Sequence, residues 1–254
     1  KPVIQFVVEE ALNSGIDDIL IITGRDKRAI EDHFDKSFEL EHLLEMQGKE
    51  KLLQRIRDIS DLADIHYVRQ KERKGLGDAI LCAKDHIGDS PFAVLLGDTI
   101  VESVTPCTGQ MMKFFEKYQG GIIAVEEVPE ENIPSYGIIG GEELEKGVYK
   151  ITDLVEKPAI EEAPSHLGII GRYILSPDIF PLLEETEKGV GGEIQLTDAL
   201  RVMGTRKTLY ACEFTGRRYD VGNKFDYLKA SIEYGLNNHP VGSKLRDYLK
   251  HLEL

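Results

Sequence analysis

His66-Tyr67-Val68-Arg69, then Lys74-Gly75-Leu76-Gly77, a helical stretch from Asp78 to Ile87, and Phe92-Ala93-Val94-Leu95-Leu96 follow one another as strand, glycine turn, helix and strand. That is βαβ order, which places the chain in the α/β class. Upstream, Asp18-Ile19-Leu20-Ile21-Ile22-Thr23 is a short continuous apolar run, as expected of a parallel strand buried on both faces, and Gly24 closes it. Before it, Pro2 suits the first turn of a helix in which Val3, Ile4, Val7, Val8, Ala11 and Leu12 keep a helical period until Gly15. A helix is expected near Lys27 to Phe34. From Phe38 to Ile59, the spacing of Leu40, Leu43, Leu44, Leu52, Leu53, Ile56 and Ile59 predicts one or two amphipathic helices with a turn at Gln47-Gly48.

Downstream of Gly97-Asp98, a helix around Gln110 to Tyr118 precedes a strand at Gly121 to Val125. Beyond Pro129 the pattern loosens into an α+β portion. Strands are expected at Tyr136 to Gly140, Val148 to Glu156, Leu167 to Leu175 and Thr208 to Glu213. Helices open near Pro177 and Gln195 and occupy Lys224 to Asn237 and Lys244 to His251. No internal repeat, low-complexity segment or long linker divides the chain, so a single domain is expected.

With 254 residues, 41% apolar and 30% charged, the chain can bury one large core, or a core with an attached subdomain. A net charge of −14 argues against nucleic acid as a partner, because affinity for a phosphate backbone comes from Lys and Arg. Cys82, Cys107 and Cys212 are odd in number and widely spaced, which fits reduced thiols and a cytoplasmic location. No stretch approaches the roughly 18 apolar residues of a membrane span, so no membrane partner is expected.

Several residues carry chemistry. Leu154-Val155-Glu156-Lys157-Pro158 ends an apolar strand with two opposite charges where Pro158 forbids further ladder pairing. Ligands in open α/β sheets sit beyond strand carboxyl ends, so the pair suits a hydroxylated, phosphorylated small molecule; a surface ion pair accounts for it equally. Leu95-Leu96-Gly97-Asp98 sets a carboxylate after a buried strand, suited to magnesium or simply to capping the next turn. Tyr219-Asp220-Val221-Gly222-Asn223 repeats the Asp and Gly combination ahead of a helix, where N-capping is the alternative. As a pair, the two aspartates match the one or two carboxylates that hold Mg²⁺ beside phosphate oxygens. Gly75 lies in a turn whose amides can approach an anion or a base edge, or which is an ordinary tight turn. Gln70 offers both donor and acceptor, as reading a pyrimidine edge requires; solvation is its other reading. Gly137 and Gly171 mark either strand bulges or places where a ligand meets the backbone. None of the seven histidines has metal spacing, and no serine elbow or cysteine nucleophile is evident.

Together, Val155-Glu156-Lys157-Pro158, Gly192-Glu193-Ile194-Gln195-Leu196-Thr197-Asp198-Ala199, Ser14-Gly15-Ile16, Tyr219-Asp220-Val221-Gly222, Glu31-Asp32-His33-Phe34-Asp35 and the Arg69-Gln70 to Gly77 segment resemble one family from Lys1 to about Tyr234. It is that of the bacterial UTP-glucose-1-phosphate uridylyltransferases, in the sugar-nucleotide pyrophosphorylase superfamily. The resemblance implies a Rossmann-like nucleotidyltransferase fold with a central mixed, mostly parallel sheet flanked by helices and a smaller α+β sugar-binding portion. It implies a nucleotide-binding half over 1–128, a sugar-phosphate-binding half over 129–223 and C-terminal helices over 224–254. By the same resemblance Gln70 and Gly75 contact uracil, Asp98 and Asp220 hold Mg²⁺, and Gly137, Glu156 and Gly171 line the glucosyl site. Lys157 binds the phosphate of glucose 1-phosphate. The implied reaction converts UTP and glucose 1-phosphate to UDP-glucose and pyrophosphate, in a homodimer or homotetramer.

Relatives open with a strand and a Gly-x-Gly-Thr-Arg loop, followed by a lysine; none of these is in the sequence, which implies that residues precede Lys1. Asp78 stands where many relatives have histidine, and Thr99 where close ones have a second aspartate. Other readings are a non-catalytic sugar-nucleotide sensor or subunit on the same fold, and a related transferase using another nucleotide or sugar 1-phosphate. A dinucleotide-dependent oxidoreductase needs a full Gly-x-Gly-x-x-Gly with an acidic residue about 20 positions on, an arrangement the sequence lacks.

Overall fold

The computed structural model describes residues 1–238 and 240–252. Helix α1 spans Val3–Asn13 directly after Pro2, and ends where Gly15 takes a left-handed φ of +86°. Strand β1, Asp18–Thr23, pairs in parallel with β2, Asp64–Arg69, after a crossover through α2 (Arg28–Phe34), α3 (Phe38–Met46) and α4 (Glu50–Ser60). Val8, Ile21 and Phe34 form the small core of this lobe. The helix expected from Asp78 to Ile87 is broken into α5 (Leu76–Leu81) and α6 (Lys84–Ile87) around Cys82-Ala83. β3 follows at Phe92–Leu95, then β4 at Thr99–Glu102, α7 at Cys107–Tyr118 and β5 at Gly121–Glu127.

The second half supplies β6 (Gly137–Glu145), β7 (Val148–Glu156), β8 (Leu167–Leu175), α8 (Ile179–Glu185), α9 (Leu196–Arg206), β9 (Leu209–Glu213), β10 (Arg217–Asp220), α10 (Lys224–Asn237) and α11 (Gly242–Lys250). Six strands form the main sheet in the order β3-β8-β5-β9-β7-β6, with β8 also touching β6. The buried part of its strand β5 is apolar: Ile122, Ile123, Ala124 and Val125 have no exposed surface, and Ile179, Leu183, Ala199 and Leu200 pack from α8 and α9. Each of these Ile, Leu and Val side chains contributes roughly 1.5–3 kcal/mol on burial.

Two expectations are corrected here. The main sheet is mixed as expected but not mostly parallel: among the described residues the β5–β9 ladder is its one parallel pairing and the others are antiparallel. The connection between β6 and β7 explains much of this: it is a tight turn at Lys146-Gly147 with Gly147 at φ +73°, and so short a link permits antiparallel neighbours alone. β1 is also not buried on both faces; Ile21 and Thr23 are buried while Ile19, Leu20 and Ile22 are half-buried. It pairs on one edge, with β2, and among the described residues no ladder joins β1 to β3.

A two-stranded ribbon that sequence reading did not foresee pairs β10 antiparallel with β4, setting Asp220 opposite Thr99. A charged pair is also sealed in the interior: Arg172 of β8 has 0% exposure and Glu10 of α1 has 7%. Removing one member of a buried pair leaves the other charge uncompensated, at about 3–5 kcal/mol. Among the described residues no helix is long and apolar enough to cross a membrane.

Candidate active site

Strand ends and glycines together build the site. β3 runs out at Leu95, and the chain turns through Leu96-Gly97-Asp98 into β4; the ribbon partner β10 delivers Asp220 alongside. Val221 N–H donates to the Asp98 carbonyl at 2.9 Å, closing the corner. The two carboxylates converge on Gly222: a Cβ built there would lie 3.2 Å from Asp220 Oδ1 and 3.4 Å from Asp98 Oδ2. Only glycine leaves that space open. Asp220 Oδ2 is occupied separately, accepting from Tyr136 Oη at 2.9 Å and from Arg218 Nη1 at 3.4 Å. Arg218 in turn donates to Glu126 Oε1 at 2.5 Å and to Tyr136 Oη at 3.0 Å. Burial first, then the Asp220 carboxylate, push the Tyr136 hydroxyl up, against the pull of Arg218; the proton it shares with Asp220 stays on tyrosine.

Tyr136 leads straight to the second part. Its carbonyl accepts from Lys157 N–H at 3.0 Å, and Gly137 pairs with Glu156 across the β6–β7 ladder. A Cβ on Gly137 would stand 3.1 Å from Glu156 Oε2 and 3.2 Å from Thr197 Oγ1, so this glycine keeps the Glu156 carboxylate uncovered. Thr197 donates to Glu156 Oε2 at 2.7 Å, fixing the carboxylate from the first turn of α9. Lys157 Nζ is 3.7 Å from Glu156 Oε1, and its side chain stays 44% exposed against 13% for Glu156. The pair is therefore loose, with the ammonium available to a ligand. Lys157 also has φ +46°, a left-handed backbone that costs a residue with a Cβ roughly 1–2 kcal/mol and recurs at functional sites.

Gly171, with φ +78°, lies where the β5–β8 register slips between the pairs Ile123–Tyr173 and Ile169–Val125. A Cβ there would meet Leu96 at 2.8 Å, so the bulge lets Leu96, and Asp98 beyond it, approach β8. Gln70 and Gly75 meet each other: Gln70 Nε2 donates to the Gly75 carbonyl at 3.2 Å and to Asp78 Oδ2 at 2.7 Å. With its amide nitrogen so engaged, Gln70 keeps its side-chain carbonyl oxygen without a partner among the described residues. Gly75, at φ +104°, packs under Glu193-Ile194, where a Cβ would lie 2.7 Å from the Ile194 carbonyl. Ile194 N–H donates to Lys74 O at 2.7 Å and Gly77 N–H to Ile194 O at 2.9 Å, so one loop ties Gly75 to Thr197 and Glu156.

The arrangement offers a carboxylate pair for a divalent cation, a free ammonium for an anion, and hydrogen-bonding groups between them. Among the described residues no group of three or more His, Cys, Asp and Glu could hold a metal by itself. Two carboxylates suit Mg²⁺, which keeps waters and binds substrate phosphates.

The description "Nucleotidyl transferase" belongs to the family model that matches residues 1–235. This chain is a nucleotidyl transferase. UTP-glucose-1-phosphate uridylyltransferase of Staphylococcus epidermidis is 50% identical over 254 residues, covering 100% of this chain and 88% of that protein. Its namesake in Bacillus subtilis is 49% identical over 252 residues, covering 99% and 86%. Among solved structures, UDP-glucose pyrophosphorylase complexed with UDP-glucose superposes with a TM-score of 0.86 at 48% identity, covering 94% of this chain and 88% of that one. UTP-bound UGPase from Acinetobacter baumannii gives 0.90 at 37% identity, covering 100% and 89%.

In this nucleotidyl transferase, Asp98 and Asp220 are joined through Val221-Gly222, Asp220 is joined to Gly137, Glu156 and Lys157 through Tyr136, and Gly171 and the Gln70–Gly75 turn reach them through Leu96 and the Glu193–Thr197 loop. Sequence reading missed the parts played by Tyr136, Thr197 and Arg218. Each lay inside or beside a quoted motif, yet what they touch is distant in sequence. The cysteines stay out of the chemistry: Cys107 and Cys212 are buried thiols, and burial pushes Cys212 up to about 12.

Proposed function

We propose that the chain transfers a uridylyl group from UTP to glucose 1-phosphate, giving UDP-glucose and pyrophosphate, with Asp98, Asp220 and Lys157 as its catalytic residues. The observation that carries the reading is the meeting of Asp98 and Asp220 at Gly222, joined through Tyr136 to the Glu156–Lys157 strand end. It rests also on the family and on relatives of about half identity named for this reaction.

The nucleophile is a sugar-phosphate oxygen, already largely deprotonated near pH 7 because its second pKa is about 6, so no general base is required. Lys157 holds that phosphate from the end of β7 and offsets its charge. Glu156, fixed by Thr197, accepts from sugar hydroxyls, and Gly137 and Gly171 keep the backbone close to the glucosyl ring. Gln70 presents its carbonyl oxygen to the uracil N–H beside Gly75. Asp98 and Asp220 would hold Mg²⁺, which when bound neutralises charge on the triphosphate. Rate then comes from alignment and charge neutralisation. In this reading residues 1–128 serve the nucleotide and 129–223 the sugar phosphate; of the C-terminal helices expected over 224–254, His239, Glu253 and Leu254 lie outside the described residues. Free thiols fit a cytoplasmic setting. Exposed Phe38 and Met46 on α3, and Phe225, Tyr227 and Leu228 on α10, fit a homo-oligomer, which light scattering would measure.

Pyrophosphate release from UTP and glucose 1-phosphate with Mg²⁺ tests the reading. Release that requires both substrates supports it. Binding of UDP-glucose without any release would make the protein a non-catalytic sugar-nucleotide sensor, and release with another nucleotide or sugar 1-phosphate alone would reassign its substrates.

A further inference from the structure

Arg172 is the largest fully buried side chain among the described residues, and its contacts are not those of a simple ion pair. Its Nε lies 3.1 Å from each Glu10 oxygen, and Nη2 is 2.9 Å from Glu10 Oε2. The remaining donor capacity goes to backbone: Nη1 to the carbonyls of Leu96 and Gly171, both at 3.2 Å, and Nη2 to the carbonyl of Thr99 at 2.8 Å. Leu96 and Thr99 bracket Gly97-Asp98. Leu96 N–H donates to Gly171 O at 3.0 Å, so the corner is anchored to β8 through amide and carbonyl alike. Glu10 is itself fixed, since Oε1 accepts from Thr108 N–H at 3.2 Å and Thr108 Oγ1 at 2.8 Å. The Asp98 carboxylate, in contrast, has no hydrogen bond or ion pair among the described residues, although its main chain is held on both sides.

We propose that Arg172, oriented by Glu10 and Thr108, is a positioning residue that sets the place of the Asp98 carboxylate through the main chain of Leu96–Thr99, and thereby sets divalent-cation affinity without touching cation or substrate. The inference rests on the reading of Asp98 as a metal carboxylate. A planar guanidinium is suited to this because its donors diverge in one fixed plane, reaching carboxylate and carbonyls together; an ammonium at the same depth cannot span them. A carboxylate of a two-carboxylate site must be held within about half an ångström to keep its affinity, which a flexible glycine corner would not do alone.

The experiment measures Mn²⁺ binding to the protein in the presence of UTP by electron paramagnetic resonance, with thermal unfolding followed in parallel. Mn²⁺ serves because carboxylate and water ligands suit it as they suit Mg²⁺. Arg172→Lys is expected to weaken Mn²⁺ binding about 10–100-fold, the usual effect of losing an outer-shell partner, with turnover recovering as Mg²⁺ is raised. A folded Arg172→Lys with wild-type Mn²⁺ affinity would overturn the proposal. If that variant does not fold, Glu10→Leu/Arg172→Met replaces the ion pair by apolar side chains, an exchange buried pairs often tolerate; weakened Mn²⁺ binding supports the proposal and unchanged binding overturns it. Glu10→Gln, which leaves the donors to the three carbonyls in place, is expected to lose less affinity than Arg172→Lys. An equal loss would show that the pair acts through general stability, against the proposal. Asp98→Asn separates the two readings. If it leaves Mn²⁺ binding intact the metal assignment itself fails, whereas a loss in Asp98→Asn with none in Arg172→Lys removes the positioning role alone.

Discussion

Asp98 and Asp220 reach the same point by opposite constructions. Asp98 follows a glycine, is exposed, and leaves its carboxylate unengaged among the described residues, while its neighbours' carbonyls are bound by a buried arginine. Asp220 ends a strand and has one oxygen held directly, by Tyr136 and Arg218, with the other turned toward Gly222. One carboxylate is positioned through its backbone and the other through its side chain. The first arrangement keeps both oxygens available to a ligand; the second gives up one oxygen for a fixed orientation.

The comparison can be broken most severely at the carboxylates themselves. Asp98→Asn and Asp220→Asn are each expected to lower kcat about 10²–10³-fold with Mg²⁺ while leaving thermal unfolding nearly unchanged; the loss of a preorganised electrostatic group sets that scale. A far milder effect at either position would remove it from the catalytic set. Lys157→Ala should act on the other substrate, raising the apparent KM for glucose 1-phosphate and cutting turnover by a similar factor, with circular dichroism unaltered. Wild-type kinetics in that variant would sink the assignment of Lys157.

Next comes Gly222→Ala. Its methyl would sit 3.2 Å from Asp220 Oδ1 and 3.4 Å from Asp98 Oδ2, in the space both oxygens face. Turnover should fall about tenfold or more, since misplacement of around an ångström at a reacting centre has effects of that order. Tyr136→Phe sharpens the contrast. It frees Asp220 Oδ2 from one partner but does not touch Asp98, so kcat should fall about tenfold, an outer-shell effect, with the fold retained. The smallest change is expected from Thr197→Val, which removes the 2.7 Å bond to Glu156. A net hydrogen bond of about 1 kcal/mol corresponds to a several-fold rise in KM for glucose 1-phosphate at unchanged kcat, measurable by steady-state kinetics.

How much of this was legible in the sequence follows from where each signal resides. β7 and β8 have the expected bounds, Val148–Glu156 and Leu167–Leu175, because their signals are local: an apolar run in β8, and in β7 β-branched and apolar residues closed by Pro158. α10 agrees over Lys224–Asn237, where Asn223 caps the helix by accepting from Phe225 and Asp226. β4 and β10 escaped notice. They are four residues each, and Arg217-Arg218-Tyr219-Asp220 carries charge where an isolated strand would carry apolar side chains; only their mutual pairing makes them strands. That pairing is what brings the two aspartates together, so the residues of the pair were readable but their meeting was not. Arg172 did leave a trace, as the one charge in an otherwise apolar strand. Its partner Glu10 sits 162 positions away, beyond any local pattern.

The left-handed backbone of Lys157 sets the ammonium proposed to bind the sugar phosphate against the stability of the fold. Replacing it by glycine would relax the conformation at φ +46°, so Lys157→Gly should unfold at a higher temperature than Lys157→Ala even though neither retains the charge. Sequence optimisation for thermal robustness alone would drift toward glycine at this position and lose the enzyme. On the proposed assignment, that left-handed backbone is a place where tolerance of heat is traded for turnover.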